Sequence, residues 1–303
     1  MELIRPDTRF DFIGKKKFTI WVSTIALLLS LGSNFLHKGL KYGVDFAGGI
    51  LIQIRFSQAV DISQVRNAME AMGSKDAMVQ KFGGENEFLI RVEKTGEDLE
   101  GMSKKIQASL QEQFKGKTLE IRRVEAVGPK VGKDLKTKAL WAVGLSFAAI
   151  LIFVAWRFKQ VSYGLGGIAA LVHDIIVTYG AISIAGLEYS LSLMAVILTI
   201  IGFSINDTIV IFDRVREDIK KYRKENLETI FNTAINETLG RTILTSGTVM
   251  MVVLILFFFG GPVIHDFALT LIVGLISGTY STIYVASPVV LFWNKNFTRK
   301  KKR

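Results

Sequence analysis

An aspartate stands inside an apolar stretch: Asp207 lies within Thr199-Ile-Ile-Gly-Phe-Ser-Ile-Asn-Asp-Thr-Ile-Val-Ile-Phe212, just ahead of Asp213-Arg-Val-Arg216. In a segment that crosses a bilayer, its carboxyl group sits in or near hydrocarbon, where a charge costs about 2.5–3.5 kcal/mol on insertion scales. Such a residue faces a partner, a cavity or an ion path, and the chemistry open to it is the capture and release of a proton. Ser204, Asp207, Thr208 and Ile211 keep the i, i+3, i+4, i+7 spacing of one helix face, with Thr199, Gly202 and Asn206 on the adjoining face. Arg241, Thr245 and Thr248 form a second polar stripe further on. A nearby arginine favours a charged carboxyl and desolvation favours a neutral one, a balance that permits proton exchange. The same pairing also permits a static ion pair that locks two helices together. Gly202 would allow close helix approach, as small residues do in membranes.

His173-Asp174 lies in the middle of another apolar stretch, with Asp174 and Thr178 on one face. A proton relay and a hydrogen-bonding role towards neighbouring helices both fit it. Asp213, in Asp213-Arg-Val-Arg-Glu217, reads as part of a solvated salt-bridge cluster at a membrane boundary. No enzyme template fits, and neither a metal nor a cofactor is called for. The three histidines (His37, His173, His265) are far apart and lack metal-ligand spacing. No Walker lysine follows Gly48-Gly49 or Gly83-Gly84, which read as turns, so ATP hydrolysis is not indicated. Cysteine is absent, which excludes disulfides and thiol chemistry.

The elements that must position these groups are membrane spans. Half of the 303 residues are hydrophobic, and six stretches reach the roughly 20 residues that cross about 30 Å of hydrocarbon. They are 18–36, 139–156, 163–187, 191–212, 242–261 and 267–293. The formal charge of +11 does not indicate nucleic acid, because no basic run is interleaved with stacking aromatics. Lysine and arginine crowd residues 1–17, the segment 213–241 and the tail 294–303, whereas the links 188–190 and 262–266 carry none. By the positive-inside rule both termini are cytoplasmic. The first apolar run is too long for a signal peptide and has no A-x-A-like site, so it reads as an uncleaved span.

Between the first and second spans, residues 37–138 are soluble in character. Ile52, Ile54 and Phe56 alternate, a helix begins near Asp61 or Ser63, and strands follow at 77–82 and 88–92. A second helix carries Leu99, Met102, Ile106 and Leu110, and a strand spans 119–127. That β-α-β-β-α-β order is the ferredoxin-like split unit. The expected fold class is therefore a polytopic α-helical membrane protein with one α+β domain on the extracytoplasmic side. Within 213–241, Ile219, Tyr222, Ile230, Ala234 and Ile235 suggest an interfacial helix. The fourth span runs inward and the fifth outward, which brings Asp207 and Arg241 to similar depth.

The chain closely resembles the SecF family, membrane subunits of bacterial protein export. The likeness lies in Val44-Asp-Phe-Ala-Gly-Gly49, Val127-Gly-Pro-Lys-Val-Gly132, His173-Asp174, Gly202–Glu217 and Glu237–Gly247. It implies a subunit of the Sec machinery in the bacterial inner membrane, paired with a SecD-like six-span protein and joined to the SecYEG channel. There it would use the proton-motive force to complete translocation of unfolded preprotein on the outer face. The family's essential aspartate and arginine fall on Asp207 and Arg241, with Asn206, Thr245, His173, Asp174 and Asp213 as supporting polar residues. Asp45, Phe46, Gly48 and Gly49 would couple the first span to the outer domain. Six spans with one outer domain also look like half of a twelve-span machine whose other half is a separate chain. The alternative is a proton-coupled exporter of small molecules or lipids from the same superfamily.

Overall fold

Wherever the chain stays apolar for about 20 residues it is helical, and the helices run past the apolar limits at several ends. In the computed structural model, residues 9–298 are described apart from 38, 75–76, 83, 93–98, 116 and 159. The basic residues before Arg9 and after Thr298, and Gly83 of the expected glycine turn, lie outside the described residues. The order is α1 (Lys16–Leu36), α2 (Val44–Ala47), β1 (Gly49–Phe56), α3 (Ile62–Ala71), β2 (Met78–Lys81), β3 (Glu87–Val92), α4 (Leu99–Gln113) and β4 (Leu119–Val127). Then come α5 (Pro129–Phe158), α6 (Val161–Ile184), α7 (Leu191–Lys221), α8 (Leu227–Phe259), α9 (Gly261–Ser281) and α10 (Ser287–Trp293). A π-helical turn, Thr282–Ala286, joins α9 to α10. Among the described residues six helices are long and apolar enough to cross a membrane, the sixth being the continuous run Ile264–Asn296. Among the described residues, those of 41–142 with 188–191 form one compact unit, and those of 9–40, 143–187 and 192–298 form the other.

In the first unit the four strands form an antiparallel sheet in the order β2-β3-β1-β4. One face packs Ile50, Ile52, Ile54 and Phe56 of β1 with Phe88 and Ile90 of β3 against Val65 and Met69 of α3 and Ile106 and Leu110 of α4. Asp61 starts α3 by accepting the Ser63 N–H at 2.7 Å. That contact satisfies one of the donors a helix start leaves without a partner. Alternation predicted only one buried face for β1, yet Leu51 and Gln53 are buried as well. Gln53 donates to Glu87 at 2.7 Å. Arg91, opposite Leu51, is buried and paired with Glu188 from the α6–α7 link at 3.5 Å.

In the other unit α6, α7 and the last span are about half buried along their apolar windows (50%, 56% and 56%), against 22% for α1, 6% for α5 and 11% for α8. Thr19, Ser23, Ser30 and Ser33 are buried on α1, but most of the unit's buried polar groups are on the inner helices. Small residues let them close up. A Cβ on Gly180 would fall 2.1 Å from Ser30 Oγ, one on Gly274 1.9 Å from Ile200 Cδ1, and one on Gly166 2.8 Å from the Ala286 carbonyl. Gly202, expected to serve this purpose, is exposed with nothing near it; Gly274 and Gly278 of α9 let that helix approach α7 instead.

The segment 213–241 is not an interfacial helix. α7 continues to Lys221 and α8 begins at Leu227, with Asn226 capping it by accepting the Thr229 N–H at 2.7 Å. Several of its charges pair along and between the two helices. Arg214 bonds Glu237 across them, and lies 3.0 Å from Glu217 and 3.7 Å from Asp218 along its own. α5 likewise begins at Pro129, inside the range expected to be soluble, because proline at a first helical position costs no hydrogen bond.

The described part of the leader lies on α8. Asn232 Oδ1 accepts the Phe12 and Ile13 N–H groups at 2.8 and 3.2 Å, and Asn236 Oδ1 accepts that of Phe10 at 2.8 Å. Both asparagines donate to the Phe10 carbonyl at 2.9 Å.

Candidate functional site

Among the described residues three carboxylates are buried in the helical unit, Asp174, Asp207 and Asp218. Asp218 lies 3.7 Å from Arg214 near the far end of α7, and the surroundings of the other two differ. Asp174 on α6 is 1% exposed and fully engaged. Its Oδ2 accepts Ser204 of α7 at 2.6 Å and Ser281 of α9 at 2.7 Å; its Oδ1 accepts Ser277 of α9 at 2.6 Å and lies 3.2 Å from His173 Nδ1. Ser277 and Ser281 are i and i+4, so one face of α9 delivers both hydroxyls. Asp174 thus ties three helices together. The His173 ring stacks on Tyr280 with centroids 5.9 Å apart, and Tyr280 in turn donates to the Thr19 carbonyl of α1 at 2.7 Å.

Asp207 on α7 is 7% exposed, and a single hydroxyl serves it: Ser246 of α8 donates to Oδ2 at 3.3 Å. Ser246 Oγ is itself 3.2 Å from Thr279 Oγ1 of α9. Next along α7, Thr208 shares a 2.9 Å hydroxyl contact with Thr282. Residues 277–282 of the last span thus reach Asp174 on one side and the Ser246–Asp207 pair on the other.

At the other unit the glycine segment makes a tight corner. Gly48 has φ +78°, and a Cβ there would meet Pro129 Cα at 3.0 Å; a Cβ on Gly132 would meet the Phe46 carbonyl at 3.0 Å. Only glycine fits at position 48, for reasons of both conformation and space. Gly49 also takes a left-handed φ of 120°. Asp45 Oδ2 accepts the N–H of Leu191, the first residue of α7, at 2.9 Å. Phe46 stacks on Tyr189 with centroids 5.4 Å apart.

These same segments are matched by family models. The description "Protein export membrane protein SecD/SecF, C-terminal" covers residues 105–296, and "SecD/SecF GG Motif" covers residues 35–60. The protein translocase subunit SecF of Magnetococcus marinus is 44% identical over 99% of this chain and 97% of its own length. That of Calditerrivibrio nitroreducens is 43% identical over 96% of each. The chain belongs to the SecF family. Among solved structures, SecDF of Thermus thermophilus, described as a translocon-associated membrane protein, superposes with a TM-score of 0.86 at 34% identity. The match covers 97% of this chain and 40% of that longer one. SecDF in a super-membrane-facing form gives 0.72 at 33% identity over 100% and 41%. This SecF-family chain is therefore a multi-pass transport component.

The residues singled out from the sequence fall into three groups. Asp207, Ser204 and Thr208 share the buried face that the spacing predicts. Arg241 and Asn206 lie off that face and are exposed; Arg241 makes no hydrogen bond to Asp207 among the described residues but is near enough to act on it by charge. Thr245 turns its hydroxyl back to the Arg241 carbonyl at 2.9 Å. Asp213 pairs with Arg157 of α5 at 2.6 Å and has no contact with Asp174 or Asp207 among the described residues. Ser246, Ser277 and Ser281 carry the contacts that sequence reading missed. Their only signal was helical spacing within apolar spans, the i, i+4 pair Ser277/Ser281 above all, and serine there is too common to single out.

Proposed function

We propose that this chain is the SecF subunit of a proton-driven preprotein translocation complex, with Asp207 as the group that binds and releases the proton. The observation that carries this is the contrast between Asp174 and Asp207. Asp174 holds three helices through three hydroxyls, and a change in its state would disturb all of them. Asp207 has one long hydrogen bond from Ser246 and no ion pair among the described residues, so it can change state at little structural cost. Arg241, exposed on α8 near this depth, would tune it, and Asn206, exposed on α7, would support it. An exposed arginine and asparagine on transmembrane helices want a polar partner rather than lipid. This supports a SecD-like subunit packed there, as does the 40% share of the SecDF chain that this one matches.

The α+β unit would be the ferredoxin-like outer domain on the periplasmic side, with both termini in the cytoplasm. The strand order β2-β3-β1-β4 and the basic leader and tail support that placement. SecYEG and unfolded preprotein would be the further partners. One charge crossing 100 mV is worth about 2.3 kcal/mol, a shift of about fifty-fold in a two-state equilibrium, which favours repeated small strokes over one large one. The test is pulse-chase export of a signal-bearing reporter in cells depleted of their own SecF, supplied with this chain or Asp207→Asn at matched abundance and a SecD-like partner. Rescue by the unmodified chain and failure of the variant is expected. Equal rescue by both would refute the assignment.

A further inference from the structure

The start of α7 is built into the α+β unit rather than merely joined to it. The link Glu188–Leu191 belongs to that unit and is tied down along its length. Glu188 pairs with the buried Arg91 of β3. Tyr189 donates its N–H to the Lys41 carbonyl at 2.7 Å and accepts the Gly43 N–H at 2.9 Å, a short parallel bridge with Tyr42 opposite. Its ring stacks on Phe46 and lies edge-on to Tyr42, over whose own ring Lys136 Nζ stands 3.9 Å from the centroid. Leu191 gives its N–H to Asp45. That N–H is one of the four amide donors that a helix start leaves without a partner inside the helix. Asp207 stands on the same helix, sixteen residues further along. At about 1.5 Å of rise per residue, that is roughly 24 Å of continuous helix.

We propose that α7, held at its first residue by Asp45 and through its preceding link by Arg91 and Tyr42, is the rod that carries the state of Asp207 to the α+β unit. In this reading Asp45 and Arg91 are positioning residues for the transport stroke. The GG segment couples the unit to the fourth span. The strength lies in number: a helix cap, an ion pair with its arginine buried, two main-chain hydrogen bonds and a stacked ring pair must all give way before the helix start can slide against the sheet. The inference rests on the proton-driven reading of Asp207.

The chain's lack of cysteine makes the test clean. In the same depleted cells, with and without a protonophore, export would be measured for Asp45→Ala, Asp45→Asn, Asp207→Asn and the pair Tyr42→Cys/Tyr189→Cys. Loss of the cap in Asp45→Ala should lower the protonophore-sensitive part of export about fivefold, as a lost helix cap shifts an equilibrium, and leave the insensitive part unchanged. A merely structural defect would lower both parts with abundance. Asp45→Asn keeps an acceptor oxygen and should export normally. The oxidised cysteine pair should export at least as fast as its reduced form and restore export when combined with Asp45→Ala, an arm that still decides if Asp45→Ala alone fails to accumulate. Unchanged sensitive export in Asp45→Ala, or arrest on oxidation that reductant reverses, would overturn the proposal. Normal export in Asp207→Asn would instead remove the proton reading beneath it.

Discussion

Replacing Asp174 by alanine leaves three serine hydroxyls, on two other helices, without their acceptor. In membrane proteins an interhelical hydrogen bond is worth about 0.6 kcal/mol on average and up to about 1.7 kcal/mol. The contacts from Ser204, Ser277 and Ser281, at 2.6, 2.6 and 2.7 Å, belong at the upper end by length. Ser281 has a second acceptor in the Gly278 carbonyl at 3.2 Å, so its loss is partly made good. The expected destabilisation is about 2–4 kcal/mol. Asp174→Asn keeps one acceptor oxygen and nearly the same volume, and should lose about half as much. Reversible unfolding of the purified full chain by SDS titration in mixed micelles measures both. Ser277→Ala alone should cost about 0.6–1.7 kcal/mol, and the double variant Asp174→Ala/Ser277→Ala less than the sum of the two, because they share one contact. Asp174→Ala within about 0.5 kcal/mol of the parent, or strictly additive behaviour in the double variant, would refute the view of Asp174 as the node of the bundle.

Gly180→Ala should destabilise by about 1–3 kcal/mol, the usual cost of overpacking, because the new methyl meets Ser30 backbone Cα at 2.5 Å. Gly274→Ala should be milder, since it meets the movable end of Ile200, and the same unfolding titration separates them. Asn232→Ala removes the acceptor of two leader N–H groups. The loss is about 1–2 kcal/mol and should speed limited proteolysis within residues 9–14 by roughly five- to thirtyfold. The Ser63 hydroxyl and N–H bonding to Asp61 hold its carboxyl below the ordinary aspartate value. The cap's contribution is therefore complete above that ordinary value and is lost as pH falls through the lower, folded one. Hydrogen exchange at the first turn of α3 should lose protection with acid in the parent chain and show no such acid step in Asp61→Ala.

The spans were legible because about 20 apolar residues in a row have few other uses, and the strands because isoleucine and phenylalanine alternate with polar residues on a half-buried sheet. The ends of α7 and α8 were not. Hydropathy registers Arg214, Glu217 and Glu237 as polar and cannot register that they satisfy one another across two helices that leave the apolar zone intact. Asp207 declared itself, since a carboxyl among aliphatic residues is costly enough to need a reason. The serines around Asp174 did not, because a lone hydroxyl in a span can bond its own helix at i−4 and needs none. Arg241 was legible in part: depth along the membrane is readable from topology, but rotation about the helix axis is not, and the side chain is exposed.

The π-helical turn Thr282–Ala286 gives the last span a different kind of importance. A π turn takes in one residue more than an α turn. The Ser287 hydroxyl bonds back to the Thr282 carbonyl five positions away at 3.2 Å. Each residue of an α-helix turns the chain by about 100°, so this extra residue resets the phase of everything that follows. Before it, Ser277, Ser281 and Thr282 look towards the carboxylate helices; after it, Val290 seats against Gly166. The turn works as a vernier between two registers that one unbroken helix would not hold together. Deleting a single residue from 282–286, the mildest of length changes by count, would rotate the whole end of the protein out of its seat, whereas conservative replacements within the turn would pass unnoticed.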